Sequence, residues 1–431
     1  MKKTIVEKIL AKADLSGRSE VSPGDYVEVK HGGLKLNLGC DLSFGRSAVW
    51  EELGWPELYD PKSMMLVAGH VGVSSCPPQT TTLTPDVIHS HREWAKRLGI
   101  PEENILDLGR AGVEHHVSID NAWALPGTVH LSIANGHAYT HGAVGAWAMA
   151  LSGAGNAFLI TGKIWFKVPE SAKIIITGTL QDGVLPRDVI EMCIARIGEV
   201  GCKDMAAEFT GSTIDDMSME GRFTVVNGTP WLGAMVGICN PDQTTIQYVK
   251  ERQPLAEFTP LTSDPDAVYA RTFTLDVKDL EPQVACHPDR FDVRPISQVK
   301  GKVINRGFIG SCASGRMEDL RIAARILKNK KVARSVQLTI SPGTVQIYKQ
   351  AVREGLIEIF LDAECAIAQP ACAMCNGGNT PLGAGDVCIS TSTVNGVGRM
   401  GSLESEIYLG SVATAAASCV AGKLVDAREW L

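Results

Sequence analysis

The sequence has no stretch approaching the ~20 uncharged apolar residues that a membrane-spanning helix needs. Its first residues, 1–8, alternate charged and apolar side chains and lack the apolar run of a signal peptide. Basic residues are in the minority, 41 Lys and Arg against 48 Asp and Glu, which gives a formal net charge of −7. We therefore expect neither nucleic acid nor a membrane as the main partner, and we expect a cytoplasmic protein.

Cysteine is too sparse for a disulfide-stapled scaffold, with 12 residues in a chain of 431. Apolar residues make up 45% of the chain and charged residues 21%, as in ordinary globular proteins. A chain of this length can bury a large core and predicts two or three domains. Its cysteines are expected to be reduced, either free or bound to metal.

Strand-like and helix-like segments alternate through most of the chain. We predict strands at residues 129–133, 173–179, 303–309, 335–340 and 387–391, and helices at 142–154, 186–200, 317–328, 345–354 and from 404 onward. Such alternation predicts an α/β fold with mostly parallel sheets. The polar stretch 264–295 suggests a boundary, which divides the chain into residues 1–285 and a smaller unit at 286–431.

The cysteine spacing is the clearest chemical signal in the chain. Cys372 and Cys375 form a C-x-x-C pair, and Cys312 lies in a glycine-flanked turn between a predicted strand and a predicted helix. Three thiolates can hold an iron–sulfur cubane and leave one iron open to a substrate, whereas a structural zinc site needs a fourth protein ligand. Spacing alone leaves zinc, dithiol redox chemistry and plain core cysteines open as alternatives.

Two longer motifs around these cysteines carry a family resemblance. Residues 308–320 (FIGSCASGRMEDL) resemble the first cluster signature of the aconitase and isopropylmalate dehydratase family, and residues 372–401 resemble the second. Residues 165–170, 208–211 and 241–245 fit the same family pattern. The resemblance covers almost the whole chain and implies an aconitase-like architecture of three α/β/α subdomains with mostly parallel sheets.

The chemistry that the resemblance implies is that of a hydro-lyase. A [4Fe–4S] cluster would be held by Cys312, Cys372 and Cys375, with the fourth iron acting as a Lewis acid on the leaving hydroxyl of a 2-hydroxy acid. One-chain members carry an additional C-terminal swivel domain, which this sequence lacks. The chain therefore resembles the large subunit of the two-subunit type, and a small swivel-domain subunit is implied that would contribute the serine base and carboxylate-binding arginines.

The resemblance also implies roles for individual side chains of this chain. His70, His115 and His137, with Glu208 as a partner carboxylate, would deliver the proton that lets the hydroxyl leave. The positions aligned with substrate-binding residues are Asn135, Ser392, Thr393, Val394 and Arg399.

Several of these positions depart from the family pattern. Gly69 stands where an aspartate usually precedes the first histidine, and Gly136 stands in place of a substrate-binding serine. Val394 replaces an arginine that would grip a carboxylate with two hydrogen bonds. Because a buried carboxylate without its cation is costly, we expect a substrate other than citrate or ordinary isopropylmalate.

Two alternative interpretations accompany this prediction. The altered substrate positions would also suit a non-catalytic iron–sulfur sensor or scaffold with the same fold. Residues 396–401 spell a G-x-G-x-x-G motif, but no further strand with an acidic residue follows, so nucleotide binding is not favoured.

Overall fold

The computed structural model describes residues 2–38, 46–69, 85–107, 109–133 and 136–431, with the side chains of all of these except 46–48, 85–90 and 152. The described strands are β1 (Tyr26–Val29), β2 (Leu36–Asn37), β3 (Met64–Val67), β4 (Ile105–Leu106), β5 (Val129–Ser132), β6 (Trp147–Ala150), β7 (Ile164–Lys167), β8 (Ser171–Thr177), β9 (Ala206–Thr210), β10 (Val236–Cys239), β11 (Arg271–Asp276), β12 (Gln283–Ala285), β13 (Val293–Pro295), β14 (Arg306–Ile309), β15 (Gln337–Ile340), β16 (Ala366–Ile367), β17 (Val387–Ser390) and β18 (Glu406–Leu409). The described α-helices are α1 (Ile5–Ala13), α2 (Arg46–Glu52), α3 (Pro85–Arg97), α4 (Glu114–Asp120), α5 (Gly155–Thr161), α6 (Pro186–Ile197), α7 (Ser212–Asp215), α8 (Met219–Asn227), α9 (Gln243–Arg252), α10 (Ile296–Val299), α11 (Met317–Leu327), α12 (Val345–Arg353), α13 (Leu356–Asp362) and α14 (Val412–Ala421).

Within the described residues, the strands form three sheets of five, four and seven strands and one small antiparallel pair, β1 with β7. The five-stranded sheet has the order β4-β3-β2-β5-β6 and the four-stranded sheet the order β10-β9-β8-β11, and both are parallel throughout. The seven-stranded sheet has the order β13-β12-β18-β17-β14-β15-β16, and only β12 pairs antiparallel with its neighbours. The predicted α/β fold with mostly parallel sheets is confirmed.

The sheets and helices pack around apolar cores. Residues that favour helix starts and stops occur at the ends of the helices, as α6 shows. In α6, Pro186 occupies the first turn, the Asp188 carboxylate accepts the Leu185 N–H at 2.8 Å, and Gly198 ends the helix at φ +73°. The seven-stranded sheet takes its strands from residue 283 onward. The division at residues 285/286 stays a prediction.

Two helix predictions are wrong. Residues 142–154 do not form one helix, because a 3₁₀ segment at Gly136–Val144 is followed by strand β6. The small residues here serve close packing, since a Cβ on Gly142 would lie 1.8 Å from the Gly237 carbonyl oxygen of β10. The helix predicted from residue 404 onward begins only at Val412, because residues 406–409 add strand β18 to the sheet.

The loops that matter for function leave the carboxyl ends of parallel strands. Cys312 follows β14, and the segment 391–395 follows the neighbouring strand β17. Open α/β sheets bind ligands at this edge. None of the helices in the described ranges has the length and apolarity needed to cross a membrane.

Candidate active site

The three predicted ligand cysteines share one small apolar cluster. Cys312, Cys372 and Cys375 are 5%, 4% and 4% exposed, and they pack with side chains such as Phe308 and Met400. Cys372 and Cys375 lie on a tight turn that continues as a short 3₁₀ helix, Ala373–Asn376, and ends at Gly377 with φ +78°.

The turn that carries Cys312 is held by side chains from three other elements. His116 Nε2 lies 2.9 Å from the Ser311 carbonyl oxygen and 3.0 Å from that of Ser314, so this nitrogen carries the proton. Arg316 Nη2 donates to the Cys312 carbonyl at 3.0 Å, and Thr391 Oγ1 donates to the Gly310 carbonyl at 3.0 Å. The Cys312 turn is therefore fixed although Ser311 has a φ of +74°.

His116 is neutral in this position. Its ring is fully buried and lies near the Arg316 guanidinium. Burial lowers the pKa of His116 to about 3, and the positive charge of Arg316 is the second largest contribution to this shift. It therefore acts as a hydrogen-bond donor to the Cys312 turn and carries no charge at neutral pH.

Arg399 places a cation beside the cysteine cluster. Its Nη2 lies 3.9 Å from Cys375 Sγ. Burial alone would lower the pKa of Arg399, but the thiols of Cys375, Cys372 and Cys312 outweigh burial and raise this pKa above its ordinary value. All three sulfurs are thus close enough to Arg399 to act on it electrostatically.

Other cysteines behave as core residues. Burial raises the pKa of the Cys239, Cys365 and Cys388 thiols to about 12, so they stay protonated at neutral pH. Cys388 Sγ faces a backbone carbonyl, that of Ile389, at 3.4 Å.

Several histidines cluster at the start of α4 and in the 3₁₀ segment Gly136–Val144. The His115 ring centroid is 6.3 Å from that of His137 and 6.0 Å from that of His141. His115 Nε2 also lies 3.3 Å from Glu114 Oε1, and both side chains are fully buried. His137 is partly exposed. The structure thus brings together two of the three predicted catalytic histidines.

Glu208 lies in a different set of hydrogen bonds. Its carboxylate accepts from Asn240 Nδ2 at 2.6 Å, from Ser263 Oγ at 2.7 Å and from the Tyr269 hydroxyl at 3.0 Å. These partners tie β9 to the end of β10 and to the segment before β11. A role for Glu208 in proton transfer stays a prediction.

The predicted substrate loop, residues 391–395, is held by a buried charge cluster that the sequence prediction missed. Arg187 donates to the Thr391 and Ser392 carbonyls at 3.2 and 2.8 Å, and Arg290 donates to the Thr393 carbonyl at 3.1 Å. Both guanidinium groups bind the fully buried carboxylate of Glu191. The sequence signal for this charge cluster is the spacing of Arg187 and Glu191, which lie four residues apart on a predicted helix and can therefore form an ion pair.

Within that loop, the side chains differ in exposure. Ser392 is fully buried, and its hydroxyl accepts a hydrogen bond from Ser390 Oγ at 2.8 Å. Thr393 is 3% exposed, whereas Val394 is partly exposed. Asn395 anchors the end of the loop by donating to the Cys286 carbonyl at 2.8 Å.

Comparison with known proteins decides the family. A family model described as the aconitase family (aconitate hydratase) matches residues 86–302 and 289–422. The chain is 38% identical over 432 residues to the probable 3-isopropylmalate dehydratase large subunit of Methanothermobacter thermautotrophicus, covering 98% of each chain. It is 39% identical over 436 residues to the 3-isopropylmalate dehydratase large subunit of Desulfitobacterium hafniense, covering 100% of each chain. The chain belongs to the aconitase family.

Other likenesses agree with this assignment or are too distant to add to it. The probable methanogen homoaconitase large subunit of Methanosarcina mazei is 37% identical over 382 residues, which cover 88% of this chain and 94% of that protein. The crystal structure of aconitase X from Thermococcus kodakaraensis matches with a TM-score of 0.46 at 10% identity, over 85% of this chain and 84% of that chain. As an aconitase-family member the chain is a hydro-lyase, which confirms that it is an enzyme.

One departure from the aconitase-family pattern has a structural reason. A Cβ on Gly69 would lie 1.7 Å from the Gly112 carbonyl oxygen and 2.8 Å from the Glu114 nitrogen. The backbone at this position therefore leaves no space for an aspartate. The Gly69 carbonyl also accepts the Cys372 N–H at 3.1 Å, so this close packing connects the start of α4 to the cysteine turn.

Two predicted site residues of this aconitase-family chain, His70 and Asn135, lie outside the described residues. Their roles stay predictions.

Proposed function

We propose that this chain is the cluster-bearing large subunit of an iron–sulfur hydro-lyase that dehydrates and rehydrates a 2-hydroxy acid. The observation that carries the proposal is the cysteine cluster, in which the three buried cysteines pack together and the Arg399 guanidinium lies 3.9 Å from the sulfur of Cys375. A cation beside three thiols stabilises their thiolate form, which is the form that binds iron.

The donor set fits a [4Fe–4S] cluster better than a single metal ion. Within the described ranges, no set of three or more His, Cys, Asp or Glu side chains is arranged to hold one metal ion. A cubane differs in this respect, because each cysteine binds a different iron. Cys312, Cys372 and Cys375 would hold the cluster, and when bound it would supply a Lewis-acidic iron that polarises the substrate hydroxyl.

The side chains of this chain would handle the proton and the substrate charge. Hydroxide leaves poorly unless it is protonated as it departs, and His115 and His137 lie together where they can share this task. His70 and Glu208 are proposed to support them. Arg399 would bind the negative charge of a substrate carboxylate in addition to lying against the cysteines.

The substrate is proposed to be neither citrate nor ordinary isopropylmalate. At position 394 an isopropyl group stands in place of a guanidinium, and position 136 has no side chain. A substrate carboxylate opposite Val394 would be desolvated without a partner cation, which is unfavourable. We therefore propose a 2-hydroxy acid with a neutral group near Val394.

A small swivel-domain subunit is proposed as the partner. The relatives reported above are named large subunits. The base that removes the carbon-bound proton is proposed to come from that partner.

Iron binding tests the cluster directly. The chain is purified anaerobically, and iron and sulfide are quantified for the wild type and for Cys372→Ser and Cys388→Ser. We expect about four irons per wild-type chain, a loss of iron in C372S, and retention of iron in C388S, since Cys388 is an equally buried core thiol. A colourless protein that carries zinc would contradict the proposal.

Activity on a substrate panel tests the reaction. The chain is reconstituted with its small subunit and assayed with citrate, isopropylmalate and smaller hydroxylated and unsaturated acids. Turnover of an acid with a neutral group at the relevant position supports the proposal, and full activity on citrate contradicts the proposed substrate class. A complex with four irons that turns over none of the acids would instead favour a non-catalytic sensor or scaffold.

A further inference from the structure

Three histidines outside the predicted catalytic set form a row of rings in contact. The ring centroid of His130 lies 5.1 Å from that of His31 and 4.7 Å from that of His141. The rings come from the segment after β1, from strand β5 and from the 3₁₀ segment Gly136–Val144. His130 and His141 are at most 1% exposed, and His31 is largely buried. The row therefore connects β5 to the segment that carries His137.

Backbone groups hold the two outer rings in neutral tautomers. His31 Nδ1 accepts the Leu131 N–H at 3.0 Å, and its Nε2 lies 3.1 Å from the Lys35 carbonyl oxygen, so Nε2 carries the proton. His141 Nδ1 lies 2.7 Å from the Ala138 carbonyl oxygen and carries the proton of that ring. A second proton on His31 would face the Leu131 N–H and break this hydrogen bond to β5.

The central ring, His130, lies where a charge has no partner. Among the described residues, neither of its ring nitrogens has a hydrogen-bond partner. The chain packs closely against this ring, since a Cβ on Gly33 would lie 2.5 Å from His130 Nδ1 and 2.8 Å from the Trp123 carbonyl oxygen. A protonated His130 would thus be a desolvated cation between two other imidazoles, which is unfavourable.

The pKa values of the three rings agree with this geometry. Burial lowers the pKa of His31 and of His141 to about 4, although backbone carbonyls act in the opposite direction. Burial lowers the pKa of His130 well below its ordinary value, and the neighbouring imidazoles, including His115, lower it further. His115 in turn adjoins the buried Glu114 carboxylate. All three rings of the row are neutral at neutral pH.

We propose that His31, His130 and His141 form an acid-sensitive latch, which holds the segment Gly136–Val144 in place while the rings are neutral and releases it when they are protonated. A cation within the row must reach water or an acceptor, which requires movement of the ring and its backbone. Because the segment also carries His137, its release would separate that side chain from His115. The latch does not depend on the cluster, and only its effect on activity rests on the proposed function.

The effect of the latch on stability has a defined sign. Because folding lowers these pKa values, the unfolded chain binds more protons than the native chain at mildly acidic pH. The contribution of the neutral rings is complete above the ordinary histidine pKa of 6.5 and is lost as the pH falls from 6.5 to about 4. Each ring should raise the unfolding constant about tenfold per pH unit in this range.

Nitrogen shifts test the protonation states and need no turnover. The anaerobically purified full-length chain is labelled with ¹⁵N-histidine, and signals are assigned by their loss in His31→Asn, His130→Leu and His141→Gln. At pH 5.5 we expect three neutral rings, with the proton on Nε2 of His31 and on Nδ1 of His141. Rings that titrate near pH 6.5 in the folded chain would overturn the proposal.

Urea unfolding between pH 4.5 and 6.5 tests the linkage. H130L keeps the approximate size and removes one titrating ring, so the ratio of the wild-type to the variant unfolding constant should rise about tenfold for each pH unit of acidification. H31N, in which the amide oxygen can still accept the Leu131 N–H, should give the same change and serves if H130L does not fold. The matched control is His287→Gln, which replaces a partly exposed imidazole outside the row and should leave the wild-type pH dependence nearly unchanged. Parallel curves for wild type, H130L and H31N would overturn the proposal.

Hydrogen exchange tests the release itself. Amide exchange at pH 7 and pH 5 is followed by mass spectrometry and corrected for the intrinsic rates. Acidification should accelerate exchange of residues 136–144 at least about tenfold more than that of helix α6, and H130L should lose part of this excess. Equal acceleration in both segments would overturn the proposal. A reconstituted complex that turns over no hydroxy acid would contradict the proposed function, while exchange would still decide the latch.

Discussion

Replacing Glu191 with glutamine tests the buried charge cluster behind the predicted substrate loop. The Glu191 carboxylate accepts from Arg290 Nη1 and Nη2 at 2.6 and 2.8 Å and from Arg187 Nε at 2.6 Å, and all three side chains are at most 8% exposed. Removing one partner of a buried ion pair costs about 3–5 kcal/mol, because the remaining charges stay buried without compensation. We expect E191Q to lose about 3 kcal/mol of stability, at the lower end of this range, since the amide retains one acceptor oxygen.

The pH dependence of this effect has a defined sign. Burial alone would raise the pKa of Glu191, but Arg290 and Arg187 outweigh burial and hold the pKa below its ordinary value. The contribution of Glu191 to stability is therefore present above the pKa of the unfolded carboxyl, 4.5, and is lost as the pH falls below it. The difference in stability between wild type and E191Q should shrink at acidic pH.

The assay is urea unfolding followed by circular dichroism, with Glu354→Gln as the matched control. Glu354 forms a two-point ion pair with Arg321 at 2.9 and 2.7 Å, but this pair is solvent-exposed. Exposed pairs contribute little, so E354Q should leave the urea midpoint nearly unchanged. Because Arg187 and Arg290 also hold the carbonyls of residues 391–393, E191Q should raise KM in the reconstituted complex. Equal midpoints for E191Q and E354Q would refute this reasoning.

Three further predictions concern single side chains. Gly69→Ala should lower both the melting temperature and the iron content, measured by thermal unfolding and iron assay, because its Cβ would overlap the Gly112 carbonyl oxygen. His116→Leu should accelerate iron loss from the anaerobic protein, whereas His116→Gln, which can still donate to the Cys312 turn, should restore part of the retention. Burial and a neighbouring carboxylate raise the pKa of Glu220 from 4.5 to about 7, so its ionisation should cost up to about 3 kcal/mol as the pH rises from 4.5 to 7. Glu220→Gln should abolish this loss in a pH series of urea midpoints.

Local patterns in the sequence predicted much of the fold. The helix at Pro186–Ile197 has a proline in its first turn and a glycine after its end, and Met317–Leu327 has apolar residues at helical spacing. The helix predicted at 142–154 failed for a non-local reason. Its alanines favour a helix, whereas the reason for Gly142 is its close approach to Gly237 in β10, which no local pattern reveals.

The site was predictable where a motif carried it and not where it depends on distant contacts. The cysteine spacing pointed to Cys312, Cys372 and Cys375, and the structure gathers them in one apolar cluster. Arg187 and Arg290 reach the carbonyls of residues 391–393 from positions more than 100 residues away in the chain. No local pattern indicates such a contact.

Helix α4 illustrates how sequence neighbours acquire separate tasks. Glu114, His115 and His116 are consecutive, and a helix turns successive side chains by about 100°. The Glu114 and His115 side chains lie against each other, with Oε1 3.3 Å from Nε2, while His116 donates to carbonyls of the turn that carries Cys312. Movement of α4 would therefore displace the proposed proton donor and a proposed cluster ligand together. The close packing of Gly69 against the residues before α4, and its hydrogen bond to Cys372, restrain such movement from the other side.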